Sequence, residues 1–286
     1  MRGWQLLYLQ YLHLLLSCCI CRYYRRSGIL QKTMEIHIES IGRNIYSLEE
    51  LCYYFGQYIY LIDESVMNLE LCKWTGNELG LEKLKNRLMR ALERENPEEF
   101  VLAVFQECGY LGRQELKLFQ EQFAEILMEP EEVRRKMKAD YLVEFGRYVI
   151  ALQEYEKILS GQKRGKMGMQ FYAVVQENMA AAYARLFEFE EAARCLWESY
   201  QTMKSKKVYE KYLRILPLFL SEKKYQERLE QIRADRKGAM ELWEDSQSII
   251  QEGMEDDKKE TRSQEQWRQL TDHMKTEYLK NTAGGM

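Results

Sequence analysis

The chain has 286 residues, enough for one large or two small domains, and 46% of them are apolar, so a sizeable core is available. Charged residues reach 30%, prolines number three, and Leu, Glu, Lys and Gln recur with few β-branched runs, which predicts an all-α protein. The net charge of −3 is unevenly spread: residues 1–33 hold five basic and no acidic residue, leaving 37 basic against 45 acidic in 34–286, and so acidic a body disfavours nucleic acid as a partner.

In chain order, the leader 1–33 stands apart. Trp4 to Ile20 is mostly apolar but is interrupted by Gln5, Gln10, His13 and Ser17, and Arg22, Arg25 and Arg26 follow it. That falls short of the run of about 20 apolar residues a spanning helix needs. Three readings stand: a signal-anchor, a lipoprotein signal around Leu15-Leu16-Ser17-Cys18, or a start assigned too early, with Met34 as the true first residue. The change of composition at Met34 favours the third; a membrane enters only if the leader is genuine.

Residues 34–129 predict an N-terminal helical domain. Glu35 to Ser40 alternates as a short strand would, but no second strand candidate lies nearby, so it reads as an extended lead-in. Ser47-Leu-Glu-Glu50 is a capping box that opens a helix to about Ile62, with Leu51, Tyr54, Phe55 and Tyr58 on one stripe. Shorter helices are expected over 66–74 and 81–94. Asn96-Pro97-Glu98-Glu99 starts another, which ends at Cys108 before Gly109, and a fifth runs from Glu115 to Met128. The run SIGRNIYSLEELCYYFGQYIYLIDES resembles the start of uncharacterised bacterial proteins and brings no functional residue with it.

Residues 130–235 repeat one helix-hairpin pattern. In Lys138–Leu159 and again in Asn178–Tyr200, a helical run breaks briefly and an aromatic then precedes an alanine by three residues: Tyr148 with Ala151, Phe189 with Ala192. The first copy places Ala139, Gly146, Tyr148, Ala151 and Tyr155, and the second Ala180, Tyr183, Phe189, Ala192 and Leu196, in a pattern that resembles the tetratricopeptide repeat family. The resemblance implies a right-handed array of helix hairpins with an N-terminal helical cap. Small residues would sit where paired helices touch, and the first helices would line a concave groove for a protein or peptide. The copies are 41 residues apart, with the surplus in a connector at Ser160–Gln170. A third copy, Val208–Leu220 with Tyr225–Met240, puts Arg228 at the small position and is degenerate. Beyond it, 236–286 predicts a charged helix, a polar break over 253–262, a terminal helix and a tail.

Some family members grip a terminal carboxylate with lysine, arginine and asparagine from the first helices. By that likeness Lys136, Asn178 and Arg214 are candidate partner-binding residues, and Asp140 and Arg185 join them as candidates on the same first helices. Asp140 stands where a second asparagine would be and Glu210 where a lysine would be, which sets acids against an incoming carboxylate. A phosphate loop at Gly161–Gly168 fails: the spacing is one short, Met167 replaces Ser or Thr, and no strand precedes it. Seven cysteines without framework spacing imply reduced thiols and a cytoplasmic body, and the scattered His13, His37 and His273 suggest neither metal nor cofactor. The expectation is a non-catalytic adaptor. The rivals are a peptide-responsive DNA-binding regulator, resting on Lys83, Lys85, Arg87, Arg90 and Arg94, and a membrane-tethered assembly factor.

Overall fold

The computed structural model describes residues 35–161, 167–259 and 264–282. The leader, the centre of the 160–170 connector and the last residues of the tail lie outside that range. The readings of start site, membrane anchor, lipoprotein signal and basic loop lie there with them.

The fold is an all-α assembly of helical hairpins. Among the described residues the one departure is a two-stranded sheet, β1 (Ile36–Ile38) with β2 (Arg43–Ile45), so the expected lead-in is in fact a paired strand. Three-residue strands are too short to show alternation. The turn between them reveals the pair: Gly42 N–H donates to the Glu39 carbonyl at 3.0 Å and Gly42 adopts φ +59°. A Cβ at Gly42 would also lie 3.0 Å from the Arg147 guanidinium, so the site requires glycine twice over.

By contacts the chain divides into two compact units. One comprises Asn44–Phe55, Glu64–Gly112 and the first strand to His37. Its helices are the first turns of α1 (Leu48–Gln57), then α2 (Leu69–Asn77), α3 (Glu82–Glu93) and α4 (Pro97–Cys108). The Ser47 hydroxyl accepts the Glu50 N–H, while the Glu50 carboxylate takes the N–H of Tyr46, one residue earlier than an ideal capping box. Asn68 and Asn96 cap α2 and α4, each accepting a backbone N–H at 2.9 Å, and Gly109 closes α4 in the left-handed region. The unit buries Leu51, Phe55, Leu71, Leu84, Leu88, Phe100 and Phe105, each contributing about 1.5–3 kcal/mol.

The other unit comprises Ile38–Arg43, Gly56–Asp63 and Arg113 onward. It holds the 3₁₀ turn Ile59–Leu61 and the helices α5 (Arg113–Met128), α6 (Glu131–Glu144), α7 (Tyr148–Ser160), α8 (Met169–Arg185), α9 (Phe189–Met203) and α10 (Lys206–Ile215). A second 3₁₀ turn, Leu216–Leu218, leads to α11 (Glu222–Ile232), α12 (Arg236–Lys259) and α13 (Gln264–Thr282). Each helix from α6 to α9 packs on the next, and α6 also touches α8, as expected when successive hairpins stack. The expected third hairpin is shorter than its pattern suggested: Arg233 turns left-handed and Met240 belongs to α12. The expected break after Gly253 does not occur there either. Helix α12 runs on to Lys259, since one glycine costs a helix only about 1 kcal/mol.

The hairpin turns repeat to the hydrogen bond. Between α6 and α7, Gly146 N–H donates to Val143 and Arg147 N–H to Leu142; between α8 and α9, Phe187 N–H donates to Ala184 and Glu188 N–H to Tyr183. The α3–α4 turn in the other unit does the same, from Glu95 to Leu92 and from Asn96 to Ala91. The middle residue of each turn is left-handed: φ is +50° at Glu95, +70° at Gly146 and +64° at Phe187. Ala139, Ala151, Ala180 and Ala192 are all buried at 2% exposure or less, where larger side chains would push paired helices apart.

Candidate functional site

Three clusters in the α6–α11 hairpins gather the chemistry. The first is centred on Asp140 of α6. Its carboxylate accepts from the Tyr155 hydroxyl of α7 at 2.6 Å and from the Asn178 amide of α8 at 2.8 Å, and pairs with the Lys136 ammonium one turn away at 2.5 Å. Three helices therefore meet at one acid. Burial, and then the Asp140 carboxylate, push the Tyr155 phenol far above its ordinary range, so it stays a donor. Lys136, Asp140 and Asn178 are thus brought together, but they bond one another. Asp140 uses the donors that a clamp would offer to a ligand. Arg185 and Arg214 are exposed on α8 and α10, and no hydrogen bond or ion pair ties them to Asp140.

The second cluster went unread in the sequence. Glu154 on α7 is buried, and its carboxylate lies 2.9 Å from Lys157, 3.2 Å from Arg135 and 3.5 Å from Lys138. Lys138, itself buried, also reaches Asp63 at 2.6 Å, and Arg135 reaches Glu131 at 2.6 Å. Burial alone would raise the Glu154 carboxyl; Lys138, Lys157 and Arg135 outweigh it and hold the group below its ordinary value. Lys138–Asp63 spans 75 residues, so no local spacing could have announced the network.

The third is a groove of about 340 Å³ between α9, α10, the Leu216–Leu218 turn and α11. The Trp197 and Tyr212 rings meet at a tilt of 41° with centroids 5.0 Å apart, and Phe219 and Leu220 extend the apolar wall. The Arg228 guanidinium lies 5.0 Å from the Trp197 ring centre and 5.7 Å from that of Tyr212. Its Nε donates to the Tyr212 hydroxyl at 2.6 Å and its Nη1 to Gln231 at 3.2 Å. Burial raises the Tyr212 phenol, and Arg228 opposes that rise. Arg228 is half-buried, and no carboxylate among the described residues pairs with it. The sequence expectation set Arg228 at the small-residue position; the structure sets Tyr225 there, its N–H donating to the Ser221 carbonyl as those of Ala151 and Ala192 do to Arg147 and Glu188, and Arg228 lies three residues along, because the third hairpin turn is longer.

Several of the other candidates have partners within their own unit. On α3, Lys85 pairs with Glu82, Arg87 donates to Gln106, and Arg94 pairs with Glu99, which occupies much of the basic face a DNA-reading helix would present. Burial pushes the Cys72 and Cys195 thiols each up to about 11, and raises Cys52 beyond that, which keeps all three protonated near neutrality. Among the described residues no three His, Cys, Asp or Glu side chains gather where they could hold a metal, and no helix is long and apolar enough to cross a membrane. The sequence matches no protein-family model, no curated protein and no solved structure, so the residues themselves carry the functional argument.

Proposed function

We propose that the chain is a non-catalytic, cytoplasmic adaptor of tetratricopeptide-like hairpins that holds a segment of another protein. The observation that carries this is the pairing of a repeated hairpin frame with an aromatic-lined groove. The α6–α7 and α8–α9 turns share one hydrogen-bond pattern, and the groove opens where the next hairpin departs from the small-residue rule. Interaction surfaces favour Trp, Tyr and Arg, the residues that meet at Trp197, Tyr212 and Arg228. The Asp140 and Glu154 clusters fit a structural role on this reading, because their charges are satisfied inside the frame.

The test is cross-linking capture with the full chain and its Ala192→Glu variant. Ala192 is fully buried, so an unpaired carboxylate there disrupts the second hairpin. The adaptor reading expects a reproducible partner that the variant loses. A partner retained by a variant whose α8 and α9 have unfolded, or capture of nothing by the native chain, would count against it.

A further inference from the structure

We infer that the groove between α9, α10 and α11 is a docking slot for a peptide that presents one apolar side chain beside one carboxylate. This rests on the adaptor reading and goes past it by naming the slot and its ligand chemistry.

The first argument comes from the repeat. Ala151 and Ala192 occupy the close-approach position of the first two hairpins and are fully buried. Tyr225 takes that position in the third: its N–H donates to the Ser221 carbonyl as those of Ala151 and Ala192 do to Arg147 and Glu188, and it is fully buried. A tyrosine cannot let two helices touch as a methyl group does, so a groove stays open beside it, and Arg228, one turn along α11, lines that groove. The irregular copy is the one with room for a ligand.

The second argument is charge. Arg228 is half-buried on the Trp197 and Tyr212 rings, with a phenol and an amide as its hydrogen-bond acceptors and no anion paired to it among the described residues. A planar cation held against aromatic faces is ready to receive a carboxylate. Lys224, one helical turn away on α11, is exposed and carries no ion pair among the described residues, so it adds to the same attraction. Arg194 is already committed to Glu191. Glu190 and Glu227 also line the groove and repel further acids, which limits the motif to a single carboxylate rather than an acidic run. The Trp197, Tyr212 and Phe219 walls offer the apolar side chain its site.

The experiment selects a random-peptide phage library on the full chain, with Arg228→Leu and Lys224→Glu as counter-baits. The consensus peptide is then made with blocked ends, alongside its acid-to-amide analogue. Binding is followed by fluorescence anisotropy and by the Trp197 indole N–H resonance, identified through Trp197→Phe. The slot predicts enrichment of an apolar residue next to an acid and a shift of the Trp197 signal. It also predicts a loss of affinity of about tenfold or more with Arg228→Leu or with the amide peptide. Lys224→Glu, on an exposed position, controls for folding: it should weaken binding with the circular dichroism unchanged. No enrichment, enrichment without an acid, or equal binding to Arg228→Leu overturns the slot. Peptides that bind Arg228→Leu equally well would leave the adaptor reading standing. An empty selection together with an empty cross-linking capture would end both.

Discussion

Glu154→Gln is the sharpest test of how the first hairpin is held. The carboxylate lies between Lys138, Arg135 and Lys157, whose side chains are 10%, 38% and 56% exposed. Arg135 and Lys157 reach water, so their share is screened and small. The cost comes mainly from Lys138, which Gln would leave buried with Asp63 alone. Removing one partner of a buried pair costs about 3–5 kcal/mol, and water beside two of the three cations puts this case at about 3 kcal/mol. For a unit of this size that lowers Tm by about 6–12 °C. Urea denaturation and calorimetry of both proteins at neutral pH measure the difference, and a pH series gives its origin. The folded carboxyl is held below its ordinary value, so its contribution is complete above the unfolded pKa of about 4.3. It is lost as pH falls through the lower folded value, because the protonated acid then resembles the amide. A difference below about 1 kcal/mol at neutral pH, or one that persists undiminished in acid, would refute this account of the network.

Phe187→Gly should stabilise the chain by about 1 kcal/mol, seen as a higher urea midpoint, because Phe187 is left-handed at φ +64° and its side chain is 79% exposed. Tyr155→Phe removes one of the Asp140 donors and should cost about 1–2 kcal/mol in the same assay. Ala192→Glu should cost about 3 kcal/mol or more, with hydrogen exchange accelerating in α8 and α9 before it does in α3 and α4.

The sequence carried much of the frame because its signals are local. Ser47, Asn96, Pro97 and Gly109 mark helix ends within a few residues of themselves, and Tyr148–Ala151 and Phe189–Ala192 write a hairpin in three. What it hid is non-local or too brief. The β1–β2 pair offers three residues per strand. The α3–α4 turn matches the repeat turns in its hydrogen bonds, yet it carries Glu95 where Gly146 advertised the first hairpin. Glu154 reads as one more helix charge until Asp63, Arg135, Lys138 and Lys157 are folded around it. The Asp140 cluster shows the reverse case. The likeness that singled out Lys136 and Asn178 put them in one place, and the acid that broke the pattern decides what they bond to. The third copy was legible as a departure from the repeat, but its longer turn shifted the register, so Tyr225 and not Arg228 holds the small-residue position. That the Arg228 guanidinium would lie on Trp197 and Tyr212 at the edge of a groove required the third dimension.

The most direct measurement is hydrogen exchange of the full chain with and without the peptide selected on it. Binding through the second and third hairpins predicts slowed exchange in α9, α10 and α11, lost in Arg228→Leu, while α1 to α4 keep their free rates. Protection confined to α1–α4, or protection that Arg228→Leu leaves intact, would contradict the assignment of binding to this groove.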